Sequence, residues 1–326
     1  MQDTFYREIK YLRISVTERC NLRCRYCMPL DGVCKLKHED LISHEDIVKA
    51  VKVAAKLGVK KIRLTGGEPL VKKDIVKLAA DIKSIPGIEE LCITTNGILL
   101  KQYGKDLKAA GVDRINLSLD TLNEEKYKYI TRIGELKDAL AGIDEALSLG
   151  FKKIKINTVL IGGFNDDEIV DMASLTLKQD TDVRFIELMP MYDSGDFKEN
   201  AFIKCSVVID KLKEKYGDDK IVEVNDEKHR GQVARLYKID GALAYVGLIS
   251  PVSNHFCKEC NRIRLTSDGK LKPCLHSNEE ISIKGLSEEE MEEKFKMAIR
   301  NKPKEHDELS YISRSHADRN MNQIGG

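Results

Sequence analysis

Six short β-rich runs, each followed by a longer segment of helical period, fill residues 11 to 190, and this alternation restricts the chain to βα units around a parallel sheet. The runs are YLRISVT, KKIRLT, LCITT, RINLSL, KIKINTV and DVRFIEL. The segments between them carry helix punctuation. Ser43 stands three residues before Asp46, Ile47, Val51, Ala54 and Ala55 share a face, and Gly58 supplies a stop.

Most of the strands alternate in one sense. Leu12, Ile14 and Val16 share an apolar face, as do Ile62 with Leu64, Ile115 with Leu117 and Ile154 with Ile156. The opposite face carries Arg13, Ser15, Thr17, Arg63, Thr65, Cys92, Thr94, Asn116, Ser118, Lys155 and Asn157. A closed, fully packed barrel fills its interior with branched apolar side chains, so a polar inner face predicts an α/β fold of the incomplete (β/α)6 TIM-like barrel kind, with something polar in its lumen. The sixth strand is expected to fit poorly, because Arg184 interrupts its alternation. Ligands of parallel α/β barrels sit at the C-terminal strand ends, where TGGEP and TTNG fall.

After residue 190 the rhythm stops. KIVEV, QVARLYKI and ALAYVGLI read as short strands, RIRLTSDGKLKPCL bears a turn, and Ser287 to about Arg300 has helical composition. We place a boundary near 200, separating a partial barrel (1–200) from a smaller C-terminal extension (201–326). With 54 Lys and Arg against 53 Asp and Glu, the net charge of +1 removes the global case for a nucleic-acid partner. No run nears the roughly 18 apolar residues of a membrane span, and the N-terminal residues lack a signal-peptide pattern, so a cytoplasmic location with no membrane partner is expected.

Nine cysteines in a chain of this kind point to metal ligation or catalysis rather than disulfides. Cys20, Cys24 and Cys27 follow the first predicted strand, at its C-terminal end. A cubane iron-sulfur cluster normally takes four thiolates, so three leave one iron open to a ligand. Cys257 and Cys260, with Cys274 after thirteen intervening residues, offer a second set of three. The spacing also allows a structural zinc site with Cys274 and His276. Cys34, Cys92 and Cys205 stand apart and read as small buried thiols.

The CxxxCxxC pattern with Tyr26 before its third cysteine resembles the radical S-adenosylmethionine (SAM) enzymes, and Thr65-Gly66-Gly67-Glu68-Pro69 resembles that family's GGEP element. LRISVTERCNLRCRYCMP, IRLTGGEPL, CNRIRLTSDGKLKPCL and the terminal IGG together resemble the GTP 3′,8-cyclases of molybdenum cofactor biosynthesis over nearly the whole chain. That resemblance implies two 4Fe-4S clusters, one on Cys20, Cys24 and Cys27 and one on Cys257, Cys260 and Cys274. It implies SAM contacts at Tyr26, Gly67, Ser118 and Met189, and GTP contacts at Arg13, Arg63, Thr94, Lys155, Arg262, Ile263 and Arg264. It also implies that Gly325 and Gly326 reach the active site, with Arg319 and Met321 in the same tail pattern.

The reaction implied is a lyase step in which a 5′-deoxyadenosyl radical takes the ribose 3′ hydrogen of GTP and the sugar radical attacks guanine C8, giving 3′,8-cyclo-7,8-dihydro-GTP. The partners implied are an external electron donor and a downstream cyclic pyranopterin monophosphate synthase, in an assembly that could be a homodimer. Two alternatives stand beside this reading. One is another radical SAM enzyme such as a peptide-modifying maturase; the other is a non-enzymatic iron-sulfur or zinc protein that binds a nucleotide.

Overall fold

The expected strands form in order in a computed structural model that describes residues 1–32, 36–191, 197, 201–224, 233–307, 309, 315 and 318–325. Cys34 and Gly326 lie outside the described residues. The six runs become β1 (Tyr11–Ser15), β2 (Lys61–Thr65), β3 (Glu90–Thr95), β4 (Arg114–Ser118), β5 (Lys153–Leu160) and β6 (Thr181–Glu187), all parallel to their neighbours. Helices α1 (His44–Lys56), α2 (Ile75–Lys83), α3 (Leu100–Ala109), α4 (Glu124–Thr131), α5 (Leu136–Ser148) and α6 (Ile169–Lys178) fill the connections. The Ser43 side chain accepts from the Asp46 N–H to start α1, and Gly58, at φ +95°, leaves the helix as its punctuation predicts.

One face of the sheet is apolar because helices cover it. Leu12, Ile14, Ile62, Leu64, Leu91, Ile93, Ile115, Ile156 and Val183 are fully buried there, each contributing about 2 kcal/mol of hydrophobic stabilisation. The other face is the lumen. Strand register aligns Arg13, Arg63, Cys92 and Arg114 in one row and Thr94, Asn116, Lys155 and Asp182 in the next. A third row joins Ser118, Asn157 and Arg184. Arg184 therefore continues the polar face rather than interrupting it: its register partner Asn157 points into the lumen, while Val183 and Phe185 are buried on the other side.

Beyond residue 200, α7 (Ser206–Tyr216), β7 (Ile221–Val224), β8 (Arg235–Ile239), β9 (Val246–Ile249), β10 (Arg262–Leu265), β11 (Lys270–Lys272), β12 (Ile281–Ser282) and α8 (Glu288–Arg300) precede a short terminal helix, α9 (Met321–Ile324). These strands join the same sheet at both edges. β9 lies parallel to β6, with Arg184 beside Gly247, and β10 lies parallel to β1, with Arg13 beside Arg264. The order is β12-β11-β10-β1-β2-β3-β4-β5-β6-β9-β8-β7, an open curved sheet with antiparallel strands at each end. Among the described residues no helix is long and apolar enough to cross a membrane.

Candidate active site

The first cysteine loop leaves the C-terminal end of β1 and is tied to three neighbours. Asn96 donates from Nδ2 to Asn21 Oδ1 at 2.8 Å, the Arg23 and Arg25 N–H groups donate to the carbonyls of Thr131 and Ile130, and Arg132 donates from Nη1 to the carbonyls of Arg23 and Met28. The three thiols are free of disulfides. Burial pushes Cys20 up to about 11 and Cys27 up to about 12, and Cys24 well above its ordinary value, with neighbouring thiols adding to the shifts of Cys24 and Cys27. Among the described residues no such group is close enough for one metal ion. Thiols that interact electrically at a wider spacing, with burial outweighing Arg23 beside Cys20, fit a polynuclear cationic group.

Gly66 and Gly67 hold this loop from below. A Cβ on Gly66 would sit 2.2 Å from the Thr17 carbonyl oxygen, and one on Gly67 would sit 2.3 Å from that of Arg19. The Gly67 and Glu68 N–H groups donate to the Thr17 and Arg19 carbonyls at 2.8 Å. The glycines are thus required by chain-on-chain packing, and the Gly67 N–H is already used within the protein. Glu68 accepts from Thr95 Oγ1 at 2.7 Å and from the N–H groups of Asn96 and Leu70; burial pushes its carboxyl up to about 7. Tyr26 donates from its hydroxyl to Asp120 Oδ2 at 2.8 Å, and burial raises Asp120 to about 6.

The second triad lies at the opposite end of the strands. Cys260 precedes β10, which runs parallel to β1, and Cys274 follows the antiparallel β11, so both stand near the N-terminal strand ends. β1 has five residues, so about 17 Å of strand separates its two ends. Burial opposes ionisation of Cys260, but Arg262 and Lys302 outweigh it and bring the thiol down to about 6; Cys257 is raised by burial. Lys302 is itself fixed by the Arg262 and Pro273 carbonyls at 2.9 and 2.8 Å. His276 Nδ1 lies 3.0 Å from Ser315 Oγ, and burial, with His306 and Arg264 nearby, pushes the ring down to about 3.

The chain's last helix packs at the other end of the strands, beside the first loop. Asn320 caps α9, the Asn322 N–H hydrogen-bonds to Cys27, and Asn322 Nδ2 donates to the Glu18 carbonyl at 3.2 Å. Arg264 donates from Nη1 to the Ile324 and Gly325 carbonyls at 3.0 and 2.5 Å. Gly325 sits at φ +71°, and a Cβ there would meet Thr65 Cγ2 at 2.6 Å, so both its conformation and its space demand glycine. Met189 and Met321 pack against Met191 and Ile324 in a small apolar cluster beside the tail.

Between the two triads the lumen is crowded with cations. Burial, then Arg264, holds Arg13 well below its ordinary value, and burial brings Arg184 and Arg264 to about 10. With its amide oxygen turned inward, Asn116 accepts from both terminal nitrogens of Arg63 at 2.6 and 2.9 Å. Lys155 lies 3.3 Å from Asp182, yet burial and then Arg184 bring it down to about 6. Asp182 remains ionised despite its burial because Lys155, Lys153 and Arg184 all face it; one carboxylate cannot offset that many cations. Arg63 Nε, Thr94 Oγ1 and Tyr11 Oη are buried without a hydrogen-bond partner among the described residues. Orphaned donors amid excess positive charge fit a polyanionic ligand.

A family model described as the radical SAM superfamily matches residues 14–176, from β1 through α6, and one described as molybdenum cofactor synthesis C matches residues 181–308. The GTP 3′,8-cyclase of Alkaliphilus oremlandii is 46% identical over 329 residues and covers 100% of both chains. That of Peptoclostridium acidaminophilum is 48% identical over 328 residues, covering 99% of this chain and 98% of its own. The chain belongs to the radical SAM superfamily, among the GTP 3′,8-cyclases. Its cofactors are SAM and 4Fe-4S clusters. As a radical SAM protein it shares its fold with Streptococcus suis SuiB bound to S-adenosylmethionine, at a TM-score of 0.64 and 15% identity. That match covers 86% of this chain and 64% of SuiB.

Of the residues expected at the site, Arg13, Arg63, Thr94, Ser118, Lys155 and Arg264 stand on the lumen rows, and Gly325 is beside Thr65 and Ser15. The Arg262 guanidinium lies 4.9 Å from the Phe256 ring. Ile263 points the other way, buried in the core opposite Leu12, so only its main chain is offered to the lumen. Sequence reasoning gave no site role to Arg114, Asp182 and Arg184 on the lumen face, or to Glu68 and Asp120 beneath the first loop. Parity across neighbouring strands would have found the first three. Cys92 and Cys205 are buried as expected.

Proposed function

We propose that this chain converts GTP to 3′,8-cyclo-7,8-dihydro-GTP, the first step of molybdenum cofactor (molybdopterin) biosynthesis, with SAM and two 4Fe-4S clusters as cofactors. Full-length identity of 46% to a GTP 3′,8-cyclase is the observation that carries this reading. In it, residues 1–200 work as the radical SAM barrel and 201–326 as the extension that holds substrate. Cys20, Cys24 and Cys27 hold the first cluster, and Cys257, Cys260 and Cys274 the second. When bound, the first cluster would supply the one-electron reduction that cleaves SAM, and the second would supply a site for guanine.

The protein's own part is placement. Asp120 fixes the Tyr26 ring for SAM, and Glu68 ties the GGEP turn to the TTNG turn so that the cysteine loop keeps its shape. Arg13, Arg63, Lys155, Arg262 and Arg264 take the triphosphate, whose charge relieves the cost of burying so many cations. Arg262 and Lys302 keep Cys260 in the thiolate form a metal requires. Arg264, bonded to the Ile324 and Gly325 carbonyls, seats the tail against the lumen wall. An external one-electron donor and a downstream cyclic pyranopterin monophosphate synthase complete the scheme.

Anaerobic mass spectrometry of the reconstituted protein with GTP, SAM and dithionite tests it. 5′-Deoxyadenosine and an isomer of GTP should appear in step. Cys24→Ala should form neither, whereas Cys260→Ala should retain SAM binding and weaken GTP binding. Deoxyadenosine without a GTP product from the native protein would transfer the radical chemistry to another substrate.

A further inference from the structure

A short hairpin precedes β1. Gln2 bridges Glu8, and Asp3 Oδ1 accepts from the N–H groups of Phe5 and Arg7 at 2.9 Å. The turn holds the exposed Tyr6 at φ +63°, a backbone conformation uncommon for so large a side chain. What this geometry secures is Arg7. Asp3 and Arg7 are both buried, and Asp3 Oδ2 accepts from Arg7 Nε at 2.6 Å. The rest of the guanidinium meets backbone from two distant segments. Nη1 donates to the Cys257 and Lys304 carbonyls at 2.7 and 2.9 Å, and Nη2 donates to the Pro303 carbonyl at 2.6 Å.

Desolvation offsets much of what a buried ion pair gains, so stability alone does not account for this one. What it grips lies against the second cysteine triad. Lys302 hydrogen-bonds through its ammonium to Cys260 and donates to the carbonyl of Pro273, the neighbour of Cys274, at 2.8 Å. The His306 N–H hydrogen-bonds to Cys257. Pro303 and Lys304 lie between these two contacts, and Arg7 holds both of their carbonyls together with that of Cys257. We propose that Arg7, fixed by Asp3, is the positioning residue of the second triad. It locks the 302–306 segment to the Cys257 turn, so that thiols from two parts of the chain stay together for one bound metal group. The proposal rests on the reading of that triad as the seat of the second cluster. Arg7 touches no thiol and no substrate; it acts through three carbonyls. Losing a partner of this kind typically costs about 10- to 100-fold in metal affinity.

Iron release from the anaerobically reconstituted protein to a ferrous chelator tests this in two backgrounds. Cys24→Ala leaves only the second triad intact and Cys260→Ala only the first, so each should hold about four irons. Adding Arg7→Ala to Cys24→Ala should speed iron release about 10- to 100-fold, and adding it to Cys260→Ala should leave release unchanged. Arg7→Lys should recover only part of the retention, because it keeps the charge and loses the planar fork. Should Arg7→Ala fail to fold, Asp3→Asn carries the same comparison. Unchanged release in the Cys24→Ala background would overturn the proposal, as would equal acceleration in both backgrounds, which marks general loosening of the fold. Zinc at the second triad of the native protein would count against the cyclase reading instead. The positioning role would then stand if Arg7→Ala released that zinc about 10- to 100-fold faster, and fall if it did not.

Discussion

Arg319 is where the tail can be released without touching either cysteine triad. Its Nη1 and Nη2 reach the Asp268 carboxylate at 3.1 and 2.7 Å, and its Nε and Nη2 reach Glu280 at 2.6 and 2.7 Å. All three side chains are only 16–17% exposed. An exposed pair contributes at most about 1 kcal/mol, whereas removing one partner of a buried pair costs about 3–5 kcal/mol. Lys270 and Lys272 remain to share the two carboxylates in Arg319→Ala, so we place the loss at about 2–3 kcal/mol. At about 1.4 kcal/mol per decade, the ratio of seated to released tail falls roughly 30- to 150-fold.

Hydrogen exchange at the amides of residues 321–325, followed by mass spectrometry, should lose protection to that extent. Formation of the GTP product should fall at least tenfold (about 1.4 kcal/mol) while SAM cleavage continues. Arg319→Lys should recover part of both, since it keeps the charge and loses the two-pronged geometry. Native protection of these amides in Arg319→Ala would refute the reasoning outright.

Lys155 gives a pH signature. Its pKa of about 6 in the folded protein lies below the ordinary 10.5, so the unfolded chain binds more protons between those values and stability rises with pH across that window. The cost of burying the charge is fully present below about pH 6. At pH 7–8 a triphosphate beside Lys155 should restore its proton, so calorimetry in buffers of different ionisation enthalpy should show uptake of about one proton, which Lys155→Met abolishes; equal uptake in that variant would assign the proton elsewhere. Gly67→Ala should lower the thermal midpoint and iron content together, since its Cβ would collide with two carbonyl oxygens, at 2.3 and 2.6 Å. Native iron loading in Gly67→Ala would show that the turn relaxes without disturbing the cysteine loop.

The barrel strands were legible because each has a helix on one side only. Leu12, Ile14, Ile62 and Leu64 announce the covered face, and parity then places Arg13 and Arg63 in the lumen. DVRFIEL misled because it carries charge on both faces. Asp182 and Arg184 share the lumen rows, while Glu187 is buried on the other side, where it accepts from the N–H groups of Cys205, Val252 and Ser253. Only the register with Asn157 separates them, and register is set by long-range pairing. The same holds for β9 and β10: ALAYVGLI reads as a strand and RIRL opens a turn-bearing segment, but nothing local says that they bracket the barrel at opposite edges. Glu68 and Asp120 were missed because their partners, Thr95, Asn96 and Tyr26, come from other loops.

The pairing of β1 with β10 also constrains the birth of the protein. About 250 residues separate these strands, which at 5–20 residues per second is roughly 12–50 s of translation. Throughout that interval β1 presents one bare hydrogen-bonding edge, an invitation to aggregation in any nascent chain. The cysteines of the first loop emerge early and those of the second late, so a ribosome-bound chain could accept iron at one end before the other end exists. Factors that deliver iron and sulfide would meet an unfinished sheet, and chaperones that shield its open edge would be acting on metal loading as much as on folding.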